Sequence, residues 1–429
     1  MEILEFINKN LDQSKAKIIL NALKQSNNEN FHKFVLVNIH SIVYWLNSNE
    51  FKKYENLSYP PLANPNDLDI DSSEYCASLA WDLNIPLKNS KFVYISPHGV
   101  GAAAFLYLLN NACNVFCPAS WMLENNAKYR YMLNFISCII KNQSAINISE
   151  TNIFEFDKYI SLIDKNTPIL FQVRDPISLL KHSYGRDWSK VERDFNPEFD
   201  INYDYSLYIN YLTPKKTYMK DDFENLLENT FISWNLIHKL NKDNINYLDM
   251  SEISKDKVYN TFINLSNKFD FTPPPINTKN MFNRNEFRGY IRYLLPLRFD
   301  VDSNIRLTIN RYYLDDNINI FDYISKNDLK NDIGIYIEKD KIDDFLNHKD
   351  YKKIINYLSN FLNELKKITD YTEKTMMKEE EVLNYLKENK NAREKLKNIL
   401  DKDLVHIKQT RPDIVSSWKY YQEFEKLFK

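Results

Sequence analysis

Two short segments, far apart in the chain, carry residue types suited to gripping an anion. The first is Ser96-Pro97-His98-Gly99-Val100-Gly101, followed by Ala102, Ala103 and Ala104. Only five glycines occur in the chain, and two of them fall here. Glycine lets main-chain N–H groups come close to an anion, and a helix N-terminus adds a favourable dipole. The alanines allow a helix to start close against a sheet. The segment is not a Walker A loop, because the Lys-Ser/Thr pair is missing. The same pattern also serves as a tight strand-to-helix turn with no ligand. His98 offers a protonated cation, a neutral general base, or a turn histidine bonded to its own backbone.

The second segment is Val173-Arg174-Asp175-Pro176-Ile177-Ser178, then Lys181, His182 and Ser183. A guanidinium at the end of a strand can fork onto a phosphate. Pro176 suits the first turn of a helix. Lys181 and Ser183 lie about two turns further on and can meet the same phosphate. The alternative is a surface Arg174–Asp175 pair with Asp175 as an N-cap.

Short apolar runs place both segments at strand ends. Phe92 to Ile95, Ile169 to Val173 and Ile245 to Met250 read as strands, each followed by a loop and a helical pattern. The helix after the third run has Val258, Phe262 and Leu265 on one face. Repeated β–loop–α order with continuous apolar strands predicts a parallel sheet with helices on both faces. Residues 1–90 read as a helical region plus a Pro/Asn connector, and 91–300 as the α/β core. Residues 301–429 read as mainly helical, although 300–325 fits either a strand pair or a helix. The aromatic tail with Trp418, Tyr420, Tyr421, Phe424 and Phe428 is expected to dock as a helix.

Composition narrows the class. Lys and Arg number 56 against 58 Asp and Glu, a net charge of -2, which disfavours binding to a nucleic-acid backbone. The four cysteines, at 76, 113, 117 and 138, match no zinc spacing or disulfide framework and suit a reducing cytosol. The acidic Met1 to Glu5 stretch lacks the positive charge of a signal peptide, and no clean apolar run of about 20 residues occurs. A soluble cytoplasmic protein with no transmembrane segment is expected.

Arg-Asp-Pro followed by a helical Ser resembles the 3′-phosphate-binding motif of the sulfotransferase superfamily. The Gly-Val-Gly turn is similar to that family's 5′-phosphosulfate loop. Asn246 to Ile253, with the helix to Phe271, resembles its late strand–acidic pair–helix stretch, and Arg284 to Gly289 resembles its nucleotide-closing Arg/Lys-Gly loop. The resemblance covers about 91–300. Two positions depart from the pattern. No Lys precedes the glycines, where His98 is the nearest cation-capable side chain. His182 stands where the family has its motif Ser, with Ser183 one residue later. The whole chain, including the Arg411 to Tyr421 tail, also resembles bacterial capsule-locus phosphoramidate transferases.

The resemblance implies a sulfotransferase-like parallel sheet of the P-loop-kinase type. It implies no permanently bound cofactor and no metal. The donor would be a 3′-phosphonucleotide, like 3′-phospho-CDP-phosphoramidate or 3′-phosphoadenosine phosphosulfate. The acceptor would be a hydroxyl of a sugar or capsular polysaccharide, in the cytoplasm or at the inner-membrane periphery where capsule is assembled. The implied donor-site residues are Ser96, Gly99, Val100, Gly101, Ala102, Arg174, Lys181, His182, Ser183, Arg284 and Arg288. His98 and Glu124 are the acid–base candidates, Glu124 being alternatively a solvated helix-end carboxylate. Two other classes compete. A nucleotide-sugar glycosyltransferase would use an Asp-x-Asp motif such as Asp67-Leu68-Asp69 or Asp69-Ile70-Asp71. A non-catalytic interaction protein would be built around the helical tail.

Overall fold

The computed structural model describes the chain except residues 1, 68–70, 120–122, 124, 150–153, 188–194, 215–226, 228–229, 232–235, 237–238, 284–287, 313, 315 and 429. Four strands make a wholly parallel sheet: β1 (Val93–Ile95), β2 (Ile146–Asn147), β3 (Ile169–Val173) and β5 (Ile245–Asp249), in the order β2-β1-β3-β5. The expected α/β class with a parallel sheet is therefore present.

Alternation along the strands sorts side chains onto two faces, as the pleat requires. Val93, Ile95, Ile169, Phe171 and Val173 join one apolar cluster, while Phe92, Tyr94, Leu170 and Leu248 join another. The N-terminal helices, Glu2–Asn10 through Glu74–Asp82, cover the first face together with Pro176–Tyr184. Helices Ala102–Ala112 and Val258–Phe269 cover the second. Each face is thus buried, which explains why the strands read as unbroken apolar runs.

The topology defines a crevice. From β1 the chain runs through helices to β2 at one edge, then returns to β3 on the other side of β1. The helix after β1 lies on one face and the helix after β3 on the opposite face. In open α/β sheets the carboxyl ends of two such strands form the usual ligand crevice.

A second sheet follows the order β4-β6-β7-β9-β8, from β4 (Glu198–Asp200), β6 (Leu297–Asp300), β7 (Arg306–Asn310), β8 (Asn317–Asn319) and β9 (Gly334–Glu338). In this sheet the β4–β6 pair is parallel, and the β6–β7, β7–β9 and β8–β9 pairs are antiparallel. The 25-residue helix Tyr351–Thr375 lays Ile354, Leu358, Phe361, Leu362 and Leu365 against this sheet. Helices occupy most of the described residues beyond 300, with strands among them. Among the described residues three strands lie beyond 300, and β6 pairs with β7 across that boundary. Residues 300–325 resolve into β7, β8 and the short helix Phe321–Ile324.

The tail then returns to the first sheet. Val382, Leu386, Leu396, Leu400, Trp418, Tyr421 and Phe424 are buried in the same cluster as β1 and β3. Among the described residues, no helix is long and apolar enough to cross a membrane.

Candidate anion-binding site

The loop after β1 is held to β3 by side chains of β3 itself. Gln172 Nε2 donates to the Val100 carbonyl at 2.6 Å, and Arg174 Nη1 donates to the Gly99 carbonyl at 2.8 Å. Gln172 is fully buried, and its Oε1 accepts from the Tyr94 hydroxyl. Gly99 and Gly101 stand at φ +92° and +89°, a conformation that favours glycine. A Cβ on Gly99 would also lie 2.7 Å from the His182 ring, so the glycine lets His182 pack close against the loop.

Gly101 caps the helix Ala102–Ala112 with no side-chain hydrogen bond, and the first turn carries no acidic residue. Among the described residues, no acceptor takes the N–H groups of Gly99 to Ala104. These residues other than Val100 are half-buried, so the donors are not sealed into the core. A run of such donors at a helix start is an anion site.

Cations surround it. Arg174 is half-buried. Burial lowers its pKa, while Glu379, Asp175 and Asp249 act the other way. Arg186 is 5% exposed, with its guanidinium carbon 5.0 Å from the Tyr293 ring centroid, and Arg292 approaches the same ring at 5.2 Å. Arg186 Nη1 comes within 3.5 Å of His182 Nε2. The His98 and His182 rings are 5.4 Å apart.

These neighbours decide the histidine charge. His98 sits at the mouth, with part of its surface open and protein packed around the ring. That packing, then Arg186 and Arg292, hold its imidazole down to about 4. His182 is pushed well below the ordinary range by burial, then by Arg186, His98, Arg174 and Lys181. Both rings are neutral near pH 7 unless an anion enters. This favours the neutral form among the options open for His98.

The remaining expected residues are placed as follows. Ser96 is buried, with its N–H donating to Ser149 Oγ at 2.8 Å and its hydroxyl 2.8 Å from the same oxygen, so it braces the loop. Lys181 Nζ pairs with Glu379 at 3.4 Å, and Ser178 Oγ donates to the same carboxylate at 2.9 Å. Ser183 is buried and accepts from Thr230 Oγ1 at 3.2 Å. Arg288 is not brought to the loop. Its guanidinium is taken by Asp328, Asp332, Asp370 and Glu373, at 2.7 to 3.5 Å. Glu124 and Arg284 lie outside the described residues.

Asp175 is an N-cap, as its position before Pro176 allows, but for two helices. Its Oδ1 accepts from Ile177 N–H at 2.9 Å. Its Oδ2 accepts from Tyr420 and Tyr421 N–H at 2.9 and 3.1 Å, at the start of Lys419–Glu425. Trp418 Nε1 donates to Asp249 Oδ2 at 2.8 Å, and Arg411 Nη1 to the Tyr247 carbonyl at 3.2 Å. The tail motif from Arg411 to Tyr421 thus fastens the tail to the carboxyl ends of β3 and β5. Of the Asp-x-Asp candidates, Asp67 accepts from Asn64 and Asp71 from the Ser73 N–H, both as turn carboxylates, while Asp69 lies outside the described residues.

Sequence reasoning missed Arg186, Arg292, Glu379 and the clamp by Gln172. A lone amide inside an apolar strand is the visible signal for Gln172. Arg186, four residues after His182, is the visible signal for a second cation. Nothing local marks Arg292 or Glu379.

A family described as a protein of unknown function (DUF2972) matches residues 247–429, less than half of the chain. The match begins in β5 and contains the whole tail, so it spans both partners of the Asp249–Trp418 and Tyr247–Arg411 contacts. No curated protein and no solved structure matches the chain.

Proposed function

We propose that this chain is a sulfotransferase-like group transferase. It takes an activated phosphoramidate or sulfate group from a 3′-phosphorylated nucleotide and passes it to a sugar hydroxyl, in capsular polysaccharide modification. One observation carries the reading. The N–H groups of Gly99 to Ala104 and the guanidinium of Arg174 converge at the switch point between β1 and β3, beside Arg186 and Arg292. That arrangement suits a ligand with several phosphate charges better than one with a single carboxylate.

In this reading the loop N–H groups hold the bridging phosphate, and Arg174 holds the 3′-phosphate. The acceptor oxygen attacks phosphorus or sulfur opposite the bridging oxygen, which leaves with the nucleotide phosphate. The acceptor proton passes to the neutral imidazole of His98. The work is positioning and charge stabilisation. Lys181 and Ser178 hold Glu379, so they join phosphate binding only if that carboxylate moves aside. Arg288 has no part in it.

Thermal melting with adenosine- and cytidine-3′,5′-bisphosphate tests the class, because a bound ligand raises the midpoint by mass action. A rise of several degrees with one of them, at concentrations where the matching 5′-monophosphate has little effect, is expected. No rise with either nucleotide would remove the proposal. A rise only with a UDP-sugar plus a divalent metal would favour a glycosyltransferase instead.

A further inference from the structure

A cavity of about 310 Å³ lies away from the loop, lined by residues that include Ser26, Asn28, Trp81, Asp82, Lys128 and Lys158. Lys158 is only 8% exposed, although it is a lysine. Its Nζ sits 4.5 Å from the Trp81 ring centroid and 5.8 Å from that of Tyr59. Among the described residues, no oxygen accepts a hydrogen bond from this Nζ or pairs with it as an ion.

The neighbouring charges are already engaged. Asp82 Oδ2 is 3.0 Å from Lys128 Nζ and 2.7 Å from Asn28 Nδ2. Glu155 also lines the cavity but is exposed. The Nζ is not sealed into the core but opens onto the cavity, where a poorly solvated ammonium is unfavourable and aromatic faces offset only part of that. Burial accordingly brings Lys158 down to about 8, with Asp82 and Glu155 opposing and Lys128 adding to the fall.

We propose that this cavity is a second binding site, for a small ligand that presents a carboxylate or phosphate oxygen to Lys158 Nζ, with Lys128 as a further cation. The ligand supplies the acceptor that Lys158 Nζ lacks among the described residues. Anion binding requires the ammonium form, so it weakens as pH rises through the Lys158 range. The charged groups around that titration are Asp82, Glu155 and Lys128.

The test is calorimetric titration of the full chain with D-glucuronate, inorganic phosphate and D-glucose. It is run in the Arg174→Ala background, so that the loop pocket contributes little. At least one anion should bind about tenfold tighter than glucose near pH 7. Which anion wins distinguishes a carboxylate from a phosphate ligand. The advantage should vanish near pH 9.5 and in the Lys158→Met variant. Equal binding of all three probes, or full affinity in Lys158→Met, overturns the site. If that variant does not fold, acetylation of Lys158 followed by mass spectrometry replaces it. Protection by the anion supports the site, and unchanged labelling overturns it.

Discussion

His98 and His182 sit among Arg174, Arg186 and Arg292, and each is held below the ordinary histidine pKa of about 6.5. The sign of the consequence follows from proton linkage. Unfolded histidines take up protons below about 6.5, while folded His98 resists until about 4. The unfolded state therefore binds more protons in that window, and stability should fall as pH drops from about 7 to about 4.5. A 3′,5′-bisphosphonucleotide should reduce this loss, because its charge offsets the arginines. Thermal melts at the two pH values, with and without the nucleotide, check it. A His98→Gln, His182→Gln double variant should lose much of the acid sensitivity. At this scale the sequence exposed the glycines, Arg174 and His98, because their types and positions are local facts. It could not expose the pairing of Lys181 with Glu379, or of Arg288 with four carboxylates, since those partners come from distant segments.

Strand and helix placement was largely legible. The apolar run Ile169 to Val173 forms β3 over the residues its pattern marks, and Pro176 starts the next helix. The helix after β5 buries Val258, Phe262 and Leu265, as its spacing indicates. Asp175 illustrates what periodicity misses. It reads as one helix cap and proves to cap two, since Tyr420 and Tyr421 come from the far end of the chain. Asp175→Ala should therefore cost about 2 kcal/mol, near twice an ordinary cap. Urea unfolding measures the loss, and hydrogen exchange should quicken in residues 405–428. A change within about 0.5 kcal/mol, with unaltered exchange, would show that the double cap contributes little.

At the level of the whole molecule, sheet partners come from widely separated segments. β4 lies before the last parallel strand, β5, in sequence, yet it pairs with β6, and the last helices cover the first sheet. A division at residue 300 cuts through the second sheet, since β6 pairs with β7 across it. The strands there are short, and β7 and β8 both pair with β9, which follows a short helix. This layout predicts that a chain ended at Asp300 will not fold cooperatively. β6 would lose β7, and the first core would lose Trp418, Tyr421 and Phe424. Denaturant unfolding followed by tryptophan fluorescence and far-UV dichroism checks this; a sharp, coincident two-state transition would contradict it.

The central claim is that one anion pocket is shared by the loop after β1 and by Arg174 from β3. Calorimetric titration of a 3′,5′-bisphosphonucleotide into the wild-type chain and the Arg174→Ala variant tests it most directly. The expected result is saturable binding to the wild type and a loss of about 2–4 kcal/mol in the variant, as charge-assisted bonds to phosphate are removed. Absence of binding to the wild type, or equal affinity in the two proteins, would contradict the account.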